Sequence, residues 1–446
     1  MSFLQTSRRD FLKTSAAAGF GFWVAGSTAS AVTRPGPNER LNVAFIGVGG
    51  RGGSNLGAVA RSENVVALCD VDSNRARGGF NAHRNATRFT DFRQMFDRMA
   101  NRIDAVVVST PDHTHYHASA AAIRLGKHVY CEKPLTHSVW EARQLKILAQ
   151  RHNVKTQMGN QGTSHDGFRA GVELLQAQAL GPVREVHIWT NRPIWPQGIA
   201  NPLERQDVPE HMAWNEWIGP APMRPYNGNY APFKWRGWWD FGTGAIGDMA
   251  CHTMNLAFMG LRLEAPSHVS ARITDENGIN NQTAPNGAIV TYNFPARGTM
   301  PALTLTWYER NLPPREMFIG LRDNQRPSNS GCLIIGSRGT MYSSNDYGGS
   351  HNLWGDGVQN IERPERTLPR VGGQHHREWL DAIRGNTQAM SNFITYASKL
   401  TETALLGNVA MRVGQRFAWD SENLRATDCE NAAQYIRREY RQGWNA

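Results

Sequence analysis

Short apolar segments alternate with longer amphipathic segments in the first part of the chain. Continuous apolar runs are typical of strands that a parallel sheet buries on both faces. The predicted strands are Leu41–Ile46, Val65–Cys69, Ile103–Ser109, Lys127–Cys131 and Val154–Gln157, and the predicted helices are His113–Leu125 and His137–Arg151. Strands that alternate with helices at this spacing predict a doubly wound parallel α/β sheet, which we place at residues 41–160.

After the predicted helix Asp166–Leu180 the pattern changes to strands without regular helices between them. These strands are Val183–Thr190, Ser267–Thr274, Ala288–Phe294, Ala302–Tyr308 and Cys332–Ile335. The pattern predicts an α+β domain with a large, mainly antiparallel sheet over residues 161–425. Two helices are predicted near the end of the chain, at Tyr396–Val413 and Glu430–Tyr440, the second within a C-terminal helical segment at residues 426–446.

The first 31 residues have the pattern of a targeting segment. Arg8 and Arg9 precede a Phe-Leu-Lys triplet, a short apolar stretch and Ala-Ser-Ala at residues 29–31. This order predicts a twin-arginine signal peptide at residues 1–31, read by the twin-arginine export machinery, and a linker at residues 32–40. The apolar stretch falls short of the ~20 residues that span a membrane, so we expect no stable membrane anchor. A periplasmic or secreted location follows, and export of a folded protein favours a tightly held cofactor.

Composition narrows the class of protein. The chain has 40% hydrophobic and 19% charged residues, which is typical of globular domains. Its five cysteines form no C-x-x-C pair, so neither a disulfide framework nor a cysteine-rich zinc site is expected. The formal charge of +10 comes from basic residues spread along the chain, and we therefore predict no nucleic-acid partner.

The first predicted strand runs directly into a glycine-rich turn, Gly47-Val48-Gly49-Gly50-Arg51-Gly52. In this G-x-G-x-x-G pattern, Gly47 permits the tight turn, Gly49 lets a pyrophosphate approach the backbone and Gly52 lets the next helix pack closely. The second predicted strand ends at Asp70, 18 residues after Gly52 (70 − 52), where a carboxylate can accept hydrogen bonds from ribose hydroxyls. The sequence therefore predicts a dinucleotide-binding Rossmann domain.

The type of dinucleotide depends on the same acid. A carboxylate at position 70 repels the 2′-phosphate of NADP, so NAD is the predicted cofactor. Arg51 and Arg75 could neutralise a 2′-phosphate, and NADP therefore stays possible.

Two further motifs follow predicted strands, Thr110-Pro111-Asp112-His113-Thr114-His115 and Glu132-Lys133-Pro134, and a third is Gly244–His252 in the second half. With these motifs the chain resembles the Gfo/Idh/MocA family of glucose–fructose oxidoreductase and inositol dehydrogenase, although that family often has Asn where Asp112 stands. The resemblance implies an NAD(P)-dependent oxidoreductase acting on CH–OH groups, and a homo-oligomer. It implies cofactor contacts at Gly47, Gly49, Gly50, Arg51, Gly52, Asp70, Thr110, Pro111, His115, Glu132 and Lys133.

The resemblance also places Lys133 near the nicotinamide and the substrate hydroxyl, and Asp248 and His252 on a helix that completes the site. The residue types agree, because a partly desolvated Lys can act as a general acid or base. Asp248 and His252 are four residues apart on the predicted helix Ile246–Met259, so they share one face and His252 can take a hydroxyl proton. A purely structural pair and a metal site remain alternatives, but two ligands are too few, and we predict no metal.

Tryptophans concentrate in one segment of the second half. Seven of the 14 lie within residues 189–239, and tryptophan rings stack on the apolar faces of sugars. Filling the core of a long loop is the alternative explanation for most of them. Trp235, Trp238 and Trp239 immediately precede the helix that carries Asp248, so we predict these three, together with His375, as substrate contacts.

These observations favour an exported NAD(P)-dependent oxidoreductase that acts on a secondary alcohol of a sugar, polyol or glycoside. An NAD-dependent glycosidase, which cleaves a glycosidic bond through oxidation and re-reduction, is the first alternative. A non-catalytic sugar-binding protein is the second, and the combination of Lys133, Asp248 and His252 disfavours it.

Overall fold

Six parallel strands form the first sheet of the computed structural model, which describes residues 39–444. The predicted signal peptide and nearly all of the predicted linker lie outside the described residues. The strands are β1 (Asn42–Ile46), β2 (Asn64–Cys69), β3 (Thr87–Phe89), β4 (Ala105–Val108), β5 (His128–Cys131) and β6 (Thr156–Met158). Their order, β3-β2-β1-β4-β5-β6, reverses direction between β1 and β4, which is the arrangement of a doubly wound dinucleotide-binding sheet. The predicted parallel sheet is confirmed.

Helices cover both faces of this sheet, which explains why its strands are apolar throughout: every side chain of β4 is fully buried. The helices are α1 (Arg51–Val59), α2 (Ser73–Ala82), α3 (Phe92–Met99), α4 (Asp112–Arg124) and α5 (Val139–Arg151). Local sequence sets where two of them begin. The Asp72 carboxylate caps α2, and Ser138 with Glu141 forms a capping box at the start of α5.

The second sheet has nine strands in the described residues, in the order β13-β12-β11-β7-β10-β9-β8-β14-β15. They are β7 (Val183–Thr190), β8 (His268–Ile273), β9 (Ala288–Phe294), β10 (Leu303–Glu309), β11 (Gly331–Gly336), β12 (Thr340–Ser343), β13 (Asn352–Trp354), β14 (Phe417–Asp420) and β15 (Arg425–Ala426). Only β7 and β10 pair in parallel among these strands. The predicted α+β domain with a large, mainly antiparallel sheet is confirmed.

The remaining helices belong to the second half of the chain. They are α6 (Asp166–Gln176), α7 (Trp214–Ile218), α8 (Gly244–Thr253), α9 (Asn255–Gly260), α10 (His375–Arg384), α11 (Ser398–Val413) and α12 (Ala433–Ile436). The single helix predicted at Ile246–Met259 is two consecutive helices, α8 and α9. None of the helices described between residues 39 and 444 is long and apolar enough to cross a membrane.

The predicted C-terminal helix Glu430–Tyr440 is wrong. The helical part ends at Ile436, and Arg437 has extended backbone angles. Beyond it the chain follows the surface of the Rossmann domain, where the Tyr440 hydroxyl donates to Glu141 at 2.9 Å and Trp444 is buried. The rings of Tyr440 and Trp444 both pack against His117 of α4.

Helix α10 also returns to the first sheet. Its Trp379 and Leu380 belong to the same buried apolar cluster as Val43 and Phe45 of β1. The second half of the chain thus contributes buried side chains to one face of the Rossmann core.

Candidate active site

One cavity of about 610 Å³ lies beyond the carboxyl ends of β1, β2, β4 and β5. It extends from the glycine turn and Asp70 to Lys133, Asp248 and His252. Ligands of doubly wound sheets bind at this edge, next to the point where the strand order reverses, and the volume is within the range of small-molecule sites. The structure therefore brings the nucleotide-binding residues and the acid–base residues predicted from the sequence into one cavity.

The glycine turn needs its glycines for steric reasons. Gly47 has a φ of +81°, and a Cβ added there would lie 2.5 Å from the Ser109 carbonyl oxygen. A Cβ on Gly52 would overlap the carbonyl oxygen of Gly47, so Gly52 packs α1 against the turn and does not itself line the cavity. Helix α1 begins directly after Gly50, with no side-chain cap and no acidic residue in its first turn. Its positive end therefore stays available to an anion.

Asp70 holds the glycine turn in place and borders the cavity. Its Oδ2 accepts a hydrogen bond from the Val48 backbone N–H at 2.8 Å, and its Oδ1 accepts one from the Asp72 N–H at 2.9 Å. Burial raises the pKa of Asp70 above its ordinary value, although the backbone hydrogen bonds act in the opposite direction. The same carboxylate thus positions the turn and faces the space where a ribose would lie.

Glu132 collects three side-chain donors at the end of β5. Its Oε1 accepts hydrogen bonds from Arg51 Nε at 3.0 Å, Asn55 Nδ2 at 3.0 Å and Gln161 Nε2 at 3.4 Å. Glu132 and Arg51 therefore act together as a wall of the cavity. The sequence pattern predicted both of them but not Asn55 or Gln161, because neither belongs to a recognisable motif.

Lys133 and Asp248 join the two domains inside the cavity. Lys133 Nζ donates to Asp248 Oδ1 at 2.7 Å and to the Asp248 backbone oxygen at 2.8 Å. Burial by itself would raise the pKa of Asp248, but Lys133 and then Arg236 hold it well below its ordinary range. The Asp248 carboxylate is therefore ionised, and the ammonium of Lys133 keeps one N–H free for a further acceptor.

His252 lies one turn of α8 after Asp248 and is 5% exposed. Burial, reinforced by the charge of Lys133, lowers the pKa of His252 well below its ordinary value, so the ring is neutral at physiological pH. Its Nδ1 is buried without a hydrogen-bond partner among the described residues. The Tyr347 ring packs edge-on against the His252 ring, with 4.9 Å between the ring centroids. A neutral imidazole that lines a cavity can accept a proton.

Arg236 is the most important site residue that sequence reasoning missed. Its Nη1 lies 3.0 and 3.1 Å from the two carboxylate oxygens of Asp112, and its Nε lies 3.3 Å from Asp248 Oδ1. Asp112 is fully buried and also accepts hydrogen bonds from the Thr243 N–H and hydroxyl. The acid at position 112 was the one indication of Arg236 in the sequence, because a carboxylate buried there requires a cation as its partner.

His115 does not line the cavity, so its predicted contact with the cofactor is wrong. The ring lies between the two strand-end segments, with Nδ1 2.8 Å from the Pro134 carbonyl oxygen and Nε2 2.8 Å from the Thr110 carbonyl oxygen. His115 therefore holds these segments in register and is a positioning residue. Thr110 and Pro111 do line the cavity, and the Thr110 hydroxyl is buried without a partner in the described residues.

Three of the four predicted substrate contacts also lie away from the cavity. Trp238 is fully buried in an apolar cluster of the long loop, and the Trp239 indole N–H donates to the Asn280 carbonyl. His375 has both ring nitrogens satisfied, because Nε2 lies 2.8 Å from the Met158 carbonyl oxygen and the Ser164 hydroxyl lies 2.6 Å from Nδ1. Only Trp235 borders the cavity, so filling a loop core explains Trp238.

Aromatic residues other than the predicted ones line the cavity. Trp195 and Trp217 line the cavity from the long loop, and Trp444 lines it from the C-terminal segment. The Arg93 guanidinium lies 4.2 Å above the Trp444 ring. No sequence pattern could have shown Trp444, since it lies in a segment without regular structure.

Between residues 39 and 444 no cluster of three or more His, Cys, Asp or Glu side chains is arranged to hold a metal ion. All five cysteines are buried and none forms a disulfide.

Two family models match consecutive parts of the chain. Residues 41–160 match the model of an oxidoreductase family with an NAD-binding Rossmann fold, and residues 188–282 match the C-terminal alpha/beta domain of the same family. These two parts of the chain are similar to the two domains of the Gfo/Idh/MocA oxidoreductase family.

Curated Gfo/Idh/MocA-like relatives match part of the chain. A protein named as a glycosyl hydrolase family 109 protein from Solibacter usitatus is 34% identical over 171 residues, which is 34% of this chain and 39% of that protein. An inositol 2-dehydrogenase from Rubrobacter xylanophilus is 37% identical over 114 residues, 25% of this chain and 32% of that protein. The chain thus spans little more than a third of the length of these curated relatives.

Solved structures extend the likeness in fold to most of the chain. The WlbA dehydrogenase from Bordetella pertussis, in complex with NADH and UDP-GlcNAcA, has a TM-score of 0.59 at 16% identity over 85% of this chain and 99% of that one. An inositol dehydrogenase homolog from Azotobacter vinelandii, in complex with NADH and myo-inositol, has a TM-score of 0.56 at 16% identity over 85% of this chain and 98% of that one. At 16% identity, the likeness to these structures shows a similar fold of both domains and no more.

Proposed function

We propose that this protein is an NAD-dependent oxidoreductase that acts on a secondary alcohol of a sugar, polyol or glycoside. The observation that carries the proposal is the position of the Lys133–Asp248 pair and the neutral His252 in the same cavity as the glycine turn and Asp70. A dinucleotide held at one end of this cavity would reach the acid–base residues at the other.

The residues present fit a dinucleotide. The uncapped start of α1 and the glycine turn suit a pyrophosphate, and Asp70 suits the ribose hydroxyls. The Thr110 hydroxyl and His252 Nδ1 are polar atoms beside the cavity for which residues 39–444 supply no partner, so a bound ligand could satisfy them. The charge of Asp70 opposes a 2′-phosphate and favours NAD, whereas Arg51 and Arg75, which line the same region, are the residues that could accommodate NADP.

The chain's own residues supply the proton chemistry. NAD, when bound, supplies the acceptor for the hydride that leaves the carbinol carbon. His252 accepts the hydroxyl proton, so the C–OH group loses one hydride and one proton and becomes a carbonyl. Lys133 donates its free N–H to the oxygen, which stabilises the negative charge that develops there. Asp248 keeps the Lys133 ammonium in place through the 2.7 Å ion pair.

A redox-cycling glycosidase is the second candidate. It is favoured by the similarity to glycosyl hydrolase family 109 proteins, two of which match at 34% and 31% identity. Such an enzyme would oxidise the sugar with the same acid–base residues and then expel the aglycone. That step requires no additional carboxylic acid of the described cavity. The same residues therefore suit both candidates, which differ in their products.

An assay of the NAD-loaded protein separates these candidates. We expect a panel of sugars and polyols to produce reduced nicotinamide absorbance with a keto product, and aryl glycosides to release no aglycone. Aglycone release without an external oxidant, with the nicotinamide unchanged after each turnover, would instead establish the glycosidase. Titration with NAD and NADP belongs to the same experiment, and tighter binding of NADP would contradict the role given to Asp70.

We also propose export through the twin-arginine route, followed by use of a retained cofactor outside the cytoplasm. The proposal is supported by Arg8 and Arg9 and the segment that follows them. Replacing both arginines with lysine should leave the full-length chain in the cytoplasm, whereas the unaltered protein should be found outside it, starting near Val32. Export of the double variant would contradict the assignment, and cell fractionation with N-terminal sequencing measures the outcome.

A further inference from the structure

One arginine at the acid–base end of the cavity has no carboxylate of its own. The other cations there are matched one to one with carboxylates: Lys133 with Asp248, Arg236 with Asp112, and Arg51 with Glu132. His252 adds no charge because its pKa is lowered well below its ordinary value by burial. The remaining cation is Arg192, which lies two residues after the end of β7 and lines the same cavity.

The contacts of Arg192 leave its guanidinium available. Its Nε lies 3.7 Å from Asp248 Oδ2, beyond hydrogen-bond distance, and is buried without a hydrogen-bond partner in the described residues. Its Nη1 donates a hydrogen bond to the side-chain oxygen of the neighbouring Asn191. Asp248 already accepts a hydrogen bond from Lys133 at 2.7 Å and lies 3.3 Å from Arg236 Nε, so a third cation gains little from it. A buried, unsatisfied donor of this kind is costly unless a ligand satisfies it.

Arg192 is held in position by the residues around it. Its backbone N–H donates to the Thr190 hydroxyl at 3.3 Å, and Arg310 Nη2 donates to the carbonyl of the next residue, Pro193, at 3.1 Å. Trp195, three residues later, lines the cavity as well. An arginine whose backbone is held beside a tryptophan can bind a planar anion on a sugar ring that packs against that tryptophan.

We propose, building on the oxidoreductase function above, that the substrate is a sugar that carries a carboxylate, and that Arg192 binds this carboxylate. One unmatched positive charge complements the single negative charge of a sugar acid, and a guanidinium edge matches the two oxygens of a carboxylate. A phosphate ester carries up to two negative charges and would leave one of them without a partner here. Arg192 is thus the residue that determines specificity for acidic over neutral sugars.

The test compares matched sugars that differ only at the carbon bearing the acid: glucose with glucuronate, galactose with galacturonate and mannose with mannuronate. Binding to the NAD-loaded protein is followed by tryptophan fluorescence, and KM and kcat are measured for each oxidised sugar. We expect at least one acid to bind about 10- to 100-fold more tightly than its neutral partner, as one charge-assisted contact would give.

Variants assign the preference to Arg192. Arg192→Gln should abolish the preference, mainly through KM, while NAD stays bound, and Arg192→Lys should retain part of it because the charge remains without the planar fork. Arg205→Gln is the matched control, since Arg205 is an exposed arginine in the same loop and does not line the cavity. It should leave the preference unchanged.

Several results would overturn the inference while leaving the oxidoreductase function intact. The first is equal binding of each acid and its neutral partner, and the second is tighter binding of glucose 6-phosphate than of glucuronate. The third is failure of all three acids to bind the NAD-loaded protein. The fourth is that Arg192→Gln weakens the binding of both members of a pair equally. A protein that does not bind NAD at all would instead contradict the proposed function itself.

Discussion

Lys133→Met should lower turnover about 10²- to 10³-fold and leave NAD bound, as expected for the loss of a donor that stabilises the negative charge developing on the substrate oxygen. Methionine is similar in length but cannot donate a hydrogen bond to the substrate oxygen or to Asp248, both of which need the Lys133 ammonium. Single-turnover absorbance of reduced nicotinamide measures the loss, and the nucleotide released on denaturation shows whether the cofactor is retained.

The matched control for this prediction is Lys127→Met. Lys127 immediately precedes β5, whereas Lys133 follows it, so the two lysines lie at opposite ends of the same strand. The control should keep near-normal turnover. If Lys133→Met instead keeps normal turnover while its free energy of unfolding falls, the lysine is structural and the proposed chemistry is wrong.

Arg236→Met should lower the free energy of unfolding by about 3–5 kcal/mol, the usual cost of removing one partner of a buried ion pair. Asp112 is fully buried, and among the described residues its negative charge would keep only the Thr243 N–H and hydroxyl as donors without Arg236. Chemical denaturation of the cofactor-free protein at neutral pH measures the effect. Adding Asp112→Asn should restore much of the loss, since the buried charge is then removed together with its partner.

An exposed ion pair provides the comparison for the buried one. Arg425 lies 3.2 Å from Asp420, and the Arg425 side chain is 68% exposed. Exposed pairs contribute little, so Arg425→Met should leave the free energy of unfolding nearly unchanged. An equally small effect of Arg236→Met would show that Asp112 has another source of stabilisation.

Elements whose pattern depends on local chemistry could be predicted from the chain. The buried parallel strands are continuous apolar runs, and β7 and β9 begin and end where their hydrophobic pattern indicated. The glycine turn could be placed as well, because its left-handed φ at Gly47 and the close approach at Gly52 exclude a side chain. The proximity of Lys133 to Asp248 came from the motifs and the resemblance they carry.

The direction in which a polar or aromatic side chain points could not be predicted in the same way. His115 and His375 stand in the expected segments, yet their ring nitrogens bind backbone carbonyls or neighbouring side chains and not the cavity. Trp238 and Trp235 are three residues apart, yet one fills a core and the other lines the cavity. Such choices depend on which neighbours a distant segment supplies.

The sequence by itself determined the two-domain fold and the glycine turn with Asp70, because both depend on local patterns of apolar and glycine residues. The resemblance carried by its motifs indicated Lys133, Asp248 and His252 as candidate acid–base residues. Only the tertiary structure decided that Arg236 neutralises Asp112 from 124 positions away, that Arg192 shares Asp248 with Lys133 and Arg236, and that Trp444 borders the cavity. The physical reason is that burial, charge pairing and aromatic packing are settled between segments far apart in the chain. No local pattern contains that information.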